Sequence, residues 1–169
     1  MNMKHSVIVG VAFVGLSVAV AGQNRAADYT QWRGPNRDGG VGSFTAPAAW
    51  PERLTQKWKV EAGLGYATPL VVGNRIYLFS RVGDDEAMSA IDPDTGKVIW
   101  RTVYPVAFTM HPAATRHGMG PKSTPVFANG KLFAIGMTGV VTAFDAATGK
   151  QLWQKPGSMP LPMFNSHAF

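Results

Sequence analysis

The sequence predicts an all-β protein made of two copies of a four-stranded antiparallel unit, the kind that forms β-propeller blades. Internal repetition is the first observation behind this. Residues 66–100 and 123–153 read as the same segment twice: Thr68-Pro69 matches Thr124-Pro125, and Asp92, Thr95, Gly96, Lys97 and Trp100 match Asp145, Thr148, Gly149, Lys150 and Trp153. Self-similarity of this sort is the mark of a repeat architecture. The second observation is the texture of each copy, in which short apolar runs alternate with Gly, Asn, Pro and Asp, as in up-and-down sheets. With 19 Gly, 12 Pro and 46% hydrophobic residues in 169, the chain suits a turn-rich globular domain and argues against a helical bundle or a disordered tail.

Each copy divides into four strands. Leu70–Val72 and Val126–Ala128 are entered through a proline, which a strand tolerates at its start. Gly73-Asn74 and Asn129-Gly130 are tight hairpins, since both residue types accept positive φ cheaply. Arg75–Ser80 and Lys131–Gly136 return from them, followed by Glu86–Ile91 and Val140–Phe144 and then by Lys97–Val103 and Lys150–Lys155. The last two strands of each copy are joined by Asp-x-x-Thr-Gly, where Asp can accept bonds from following amides and Gly takes the left-handed position. Trp58, Trp100 and Trp153 recur in the outermost strand, where a large ring most simply fills the gap between neighbouring blades. An aromatic ligand platform is the alternative use of such rings.

The segment before the repeats has a different character. Lys4 and His5 precede an uncharged apolar stretch, Ser6 to Ala21, which ends Ala19-Val20-Ala21 ahead of polar Gly22-Gln23-Asn24-Arg25. This is the build of a cleavable secretory signal over 1–21, with Ala26-Ala27 a less suitable second cut. The stretch is short of the roughly 20 apolar residues that span a bilayer, so no transmembrane span is expected after cleavage. With 0 Cys the protein can use neither disulfides nor an N-terminal lipid-bearing cysteine, and a soluble periplasmic or extracellular address is expected. The formal charge of +6 is spread one or two cations per strand, among them Arg75, Arg81, Lys97 and Lys131. No basic run or stacking platform accompanies it, so nucleic acid is not an expected partner.

Residues 22–53 form a leader, 54–61 a single strand, 62–104 the first blade, 105–121 a connector, 122–155 the second blade and 156–169 the start of a third unit. Leu54–Glu61 resembles a fourth strand with no first three before it, as when the start of a chain completes the last blade of a ring. Its partners are then expected C-terminal to Phe169. Propellers use roughly four to eight blades, so two blades are expected to be the opening portion of an incomplete ring. The open faces of the second copy should leave Phe127, Phe133, Phe144 and Trp153 partly exposed and favour self-association.

The block Ala-x-Asp-x-x-Thr-Gly-Lys-x-x-Trp, present as Ala90–Trp100 and Ala143–Trp153, resembles the repeat signature of the pyrroloquinoline-quinone-like (PQQ-like) β-propeller family. Gln31-Trp32-Arg33-Gly34-Pro35-Asn36-Arg37-Asp38-Gly39 is similar to a leader of exported propellers in that family, so the resemblance covers roughly 28–155. It implies an eight-bladed parent. It also implies one of two activities: a non-catalytic, BamB-type scaffold with envelope-protein partners, or a quinoprotein dehydrogenase that holds PQQ and calcium on the ring axis. The dehydrogenases pair adjacent cysteines beside the quinone, and this sequence has 0 Cys. A binding or scaffold module of the cell envelope is therefore the expected role, and the PQQ-dependent dehydrogenase the alternative.

No catalytic, cofactor-binding or metal residues are expected. The residues singled out are the repeat positions Trp58, Asp92, Gly96, Trp100, Asp145, Gly149 and Trp153. Asp92-Pro93-Asp94-Thr95-Gly96 looks like the start of a calcium loop, but the second copy has Ala147 in place of Asp94, and the closing position is Val103 where a glutamate is needed. It reads as a hairpin turn. His111 and His117 lack a third zinc ligand at a recognisable spacing, so a solvated loop is the expectation. Long loops are nevertheless where rigid scaffolds carry function, which makes Phe108–Gly120 the expected contact surface. Lys122-Ser123, at the start of an inner strand, is placed to face a central channel, although the matching Tyr66-Ala67 is different chemistry.

Overall fold

The two repeats fold into two four-stranded antiparallel sheets of identical strand order, in a computed structural model that describes residues 28–157 apart from 43, 108 and 111. The expected signal sequence, the tail from 158 onward, Phe108 and His111 lie outside the described residues. The first sheet comprises β1 (Leu70–Val72), β2 (Arg75–Val82), β3 (Asp85–Ile91) and β4 (Val98–Pro105). The second comprises β5 (Val126–Ala128), β6 (Lys131–Ile135), β7 (Val141–Asp145) and β8 (Gln151–Lys155). In each sheet the strands run in sequence order, as short hairpin connections dictate. The chain is all-β over these residues apart from a short 3-10 helix, Pro112–His117, and the sheets are blades of a β-propeller that do not close into a ring.

Register repeats as closely as sequence. Tyr77 pairs with Ala90, and Ala90 with Trp100. Phe133 pairs with Ala143, and Ala143 with Trp153. A register shift follows at once in each blade, between Ala90 and Ile91 and between Ala143 and Phe144. It delivers the chain to the Asp-x-x-Thr-Gly turn. There Asp92 Oδ1 accepts bonds from the Asp94 amide at 3.0 Å and from the Thr95 amide and hydroxyl at 2.8 Å each. Asp145 Oδ1 accepts from the Thr148 amide at 2.8 Å and its hydroxyl at 2.7 Å. Hydrogen bonds from the threonine hydroxyl and amide hold both carboxyls below the usual aspartate range. Gly96 and Gly149 close the turns at φ 72° and 75°.

The blades meet along a seam built from these turns. The indole of Trp100 lies flat on Gly149, where a Cβ would overlap its six-membered ring. Thr102 Oγ1 donates to Gly149 O at 2.6 Å, and Tyr77 Oη donates to Ala146 O at 3.1 Å while its ring stacks on Phe127 at 6.2 Å between centroids. Farther along, Glu86 of the first blade is completely buried and accepts a bond from the Met137 amide of the second at 2.6 Å. Tyr104 Oη donates to the same carboxyl at 3.0 Å. Gly136 leaves room for it, since a Cβ there would occupy the position of the Glu86 oxygens. Leu70, Phe79, Met88, Leu132 and Phe144 lie in one continuous buried cluster that spans both blades.

One expectation needs correction. Phe144 is fully buried, because its ring points into the seam and meets Tyr104 of the first blade at 6.1 Å. The open face carries Phe133, half-buried, and Trp153, 41% exposed, which touch each other at 6.1 Å. Residues 54–61, whose strand partners are expected C-terminal to Phe169, pair with no strand among the described residues. Trp58 lies on Gly96, with a Cβ there 2.7 Å from the indole, and its Nε1 donates to Pro93 O at 2.8 Å.

Candidate functional site

Antiparallel order places the Asp turns and the β1–β2 and β5–β6 hairpins at one end of the blades, and the 105–125 connector with the β2–β3 hairpin at the other. The leader crosses the inner strands between these ends. Tyr29 exchanges both backbone bonds with Val71 of β1, Thr30 O accepts from the Phe127 amide of β5, and Asp28 Oδ1 accepts from the Gly73 amide. A chain that bonds to the innermost strand of each blade is thereby strapped across both. It then coils through 31–40, where Arg33 and Gly34 take positive φ, Arg33 donates to Asp38 O and Arg37 donates to Gln31 Oε1. Trp32, at the head of this coil, is left 59% exposed.

Trp32, Lys122, Ser123 and Thr124 line a cleft of about 370 Å³ where the strap passes the start of β5. Lys122 Nζ sits 4.9 Å from the centroid of the Tyr66 ring, so the two repeat-equivalent positions, different in chemistry, meet as a cation–π pair. The same ammonium donates to His117 O at 3.1 Å, Gly118 O at 3.2 Å and Gly120 O at 3.3 Å. Burial holds Lys122 below the usual lysine range. The Tyr66 amide donates to Pro121 O, and the Thr68 amide to Thr124 Oγ1 at 3.0 Å, so this surface is stitched from both blades.

The predicted site residues separate cleanly. Trp58, Asp92, Gly96, Trp100, Asp145 and Gly149 gather pairwise at the opposite end, where rings lie on turns, and Trp153 has no turn upon it among the described residues. Lys122 and Ser123 line the cleft. His117 ends the 3-10 helix of the connector, with Arg116 Nε 3.3 Å from its Nε2. Among the described residues no three His, Asp or Glu side chains come together. Sequence reasoning missed Trp32 as a cleft residue, because nothing in the leader's pattern says that it folds back across β1 and β5. It also missed Glu86, which looks in the sequence like an ordinary acid at a strand start.

A quinone held with calcium, which the resemblance implies for the dehydrogenases, needs carboxylates among its six to eight oxygen ligands. The cleft offers two hydroxyls, an indole and an ammonium already directed at three carbonyls, and these residues do not fit that pair. No helix among the described residues is long and apolar enough to cross a membrane.

Comparison with known proteins gives one family. A family model described as outer membrane protein assembly factor BamB matches residues 44–160. No curated protein matches. Among solved structures, a europium-containing methanol dehydrogenase is 25% identical with a TM-score of 0.43, over 60% of this chain and 18% of that one. BamB from Moraxella catarrhalis is 20% identical with a TM-score of 0.35, over 58% of this chain and 24% of that one. A quinohemoprotein alcohol dehydrogenase from Comamonas testosteroni is 25% identical with a TM-score of 0.41, over 59% and 14%. The chain spans less than a quarter of the length of each of these structures.

Proposed function

This chain belongs to the family described as outer membrane protein assembly factor BamB, and on that premise we propose that it is a non-catalytic binding module of the cell envelope. The observation that carries the proposal is the state of Lys122. An ammonium has three N–H donors, and all three have carbonyl partners in the connector. It is a clamp that shapes the surface, not a base awaiting a substrate proton. What remains for a ligand is the exposed indole of Trp32, the exposed ring of Tyr66 and the hydroxyls of Ser123 and Thr124. Aromatic anchors with a few polar groups on a rigid support are the chemistry of protein–protein contact. The signal pattern over 1–21 and the family both favour an exported protein whose partners are other envelope proteins. On this reading the two blades and leader are part of a propeller ring whose other blades complete the inner surface.

The test compares binding and chemistry in one preparation. Photo-crosslinking from position 66 in envelope extracts should yield a discrete protein partner, lost in Trp32→Ala. In parallel, PQQ and calcium are added with an alcohol and a redox dye. Bound-quinone absorbance with alcohol-dependent dye reduction would replace this reading with a quinone-dependent dehydrogenase.

A further inference from the structure

Two exposed rings adjoin the cleft, Trp32 lining it and Tyr66 packed against its Lys122, and each is attended by a cation of its own chain. The Arg33 guanidinium carbon lies 5.6 Å from the centroid of the Trp32 ring, which is 59% exposed. Lys122 Nζ lies 4.9 Å from the centroid of the Tyr66 ring, which is 64% exposed. A cation is held by the negative face of an aromatic ring, so a ring already engaged by one holds a second poorly and brings the two charges close together. The cleft is therefore poorly suited to lysine or arginine side chains, which unoccupied aromatic pairs hold well.

The charge around the cleft points the same way. The strap coil over 31–40 carries Arg33 and Arg37 against Asp38, and the connector over 105–125 carries Arg116 and Lys122 with no acid. Asp38 Oδ1 is engaged in the coil, where it accepts from the Gly40 amide at 2.8 Å. Asp84 and Asp85, in the β2–β3 hairpin at this end of the blades, do not line the cleft, and Asp84 lies 3.7 Å from Arg81. Arg33 and Arg37 each direct one nitrogen into the coil, to Asp38 O and Gln31 Oε1. A guanidinium has five N–H donors, so both side chains, which are exposed, keep donors for a ligand. We propose, resting on the binding-module reading above, that the partner segment this cleft takes is an acidic peptide stretch. It sets an apolar side chain against Trp32 and Tyr66 and directs its carboxylates to Arg33 and Arg37, while the hydroxyls of Ser123 and Thr124 meet its backbone. The rings supply the anchor, and the surrounding charge selects the partner and speeds the encounter.

Fluorescence anisotropy of two labelled hexapeptides tests this, one Asp-Phe-Asp-Asp-Phe-Asp and the other with lysine in place of every aspartate. At low salt the acidic peptide should bind at least about tenfold more tightly, and the difference should fade as salt rises to about 1 M, where the screening length is about 3 Å. Trp32→Ala should remove binding of the acidic peptide. Arg33→Gln and Arg37→Gln together should bring the two peptides within about twofold of each other, with the fold of each variant checked by circular dichroism. Lys97→Gln, at the opposite end of the blades, removes one positive charge away from the cleft and should change neither affinity. A chain that binds neither peptide, that binds the lysine peptide equally well or better, or that keeps the acidic peptide undiminished in Trp32→Ala would overturn the proposal. A Trp32-dependent crosslink from position 66 obtained alongside any of these results would leave the binding module standing and exclude only an acidic partner.

Discussion

A Cβ added to Gly149 meets two obstacles at once: a φ of +75°, which side chains avoid, and the indole of Trp100 resting against its α-carbon. Gly149→Ala should therefore destabilise the chain by about 2–4 kcal/mol, the sum of left-handed strain and overpacking. Urea unfolding followed by tryptophan fluorescence measures this. A loss below about 0.5 kcal/mol would mean that the ring is not seated on the turn. The turn itself was legible in the sequence, because Asp, Thr and Gly at fixed spacing have a mechanism. What the glycine was for was not fully legible. Spacing reveals the need for positive φ, but it cannot reveal that the missing side chain also makes room for a tryptophan of the neighbouring blade. Trp32 and Phe144 make the same point, since a residue's exposure depends on which face meets which blade.

At the scale of the strand, β3 carries a buried carboxyl into the seam. Glu86 is raised above its ordinary value of 4.5, first by burial, against the opposing Met137 amide, Tyr104 hydroxyl and Arg81 charge. A group whose value is raised on folding contributes its stability fully below the unfolded value and loses it as pH rises through the folded one. Asp92 and Asp145 act in the opposite sense: held below 3.8, they stabilise above that value and lose the effect as pH falls through their folded values. Stability should thus decline below the aspartate range and slope downward again above the glutamate range. Glu86→Gln keeps an acceptor for Met137 without a buried charge, so it should remove the upper slope, leave the acid limb and raise Tm at pH 7. Calorimetry across pH 3–8 checks this, and a variant less stable than wild type at pH 7 would count against it. The strands were readable from apolar runs and hairpin residues to within two positions at their ends. The segment 54–61, read as a fourth strand with its partners expected C-terminal to Phe169, pairs with no strand among the described residues, since a ladder needs a neighbour. Glu86 gave no signal at all, since its partner amide lies in the other repeat.

At the scale of the whole molecule, the repeat made the architecture legible and left the site obscure. Two blades with matched turns and tryptophans could be read directly from the sequence. The cleft could not, because it is assembled from three distant pieces: the leader's Trp32, Tyr66 ahead of β1, and Lys122–Thr124 ahead of β5. The Tyr66–Pro121 and Thr68–Thr124 bonds join the last two, and the strap of Tyr29 and Thr30 across β1 and β5 brings Trp32 to them. The proposed function therefore depends on the two blades behaving as one body, and native-state hydrogen exchange at the Met137 amide tests that dependence most directly. Met137 follows β6 in the second blade, yet its amide bonds to Glu86 of the first at 2.6 Å. Protection equal to that of the β2–β3 ladder amides, released in the same opening event, is expected. Exchange of Met137 at the rate of an open loop, while β2–β3 stays protected, would show that the blades part independently and that no surface spanning them persists.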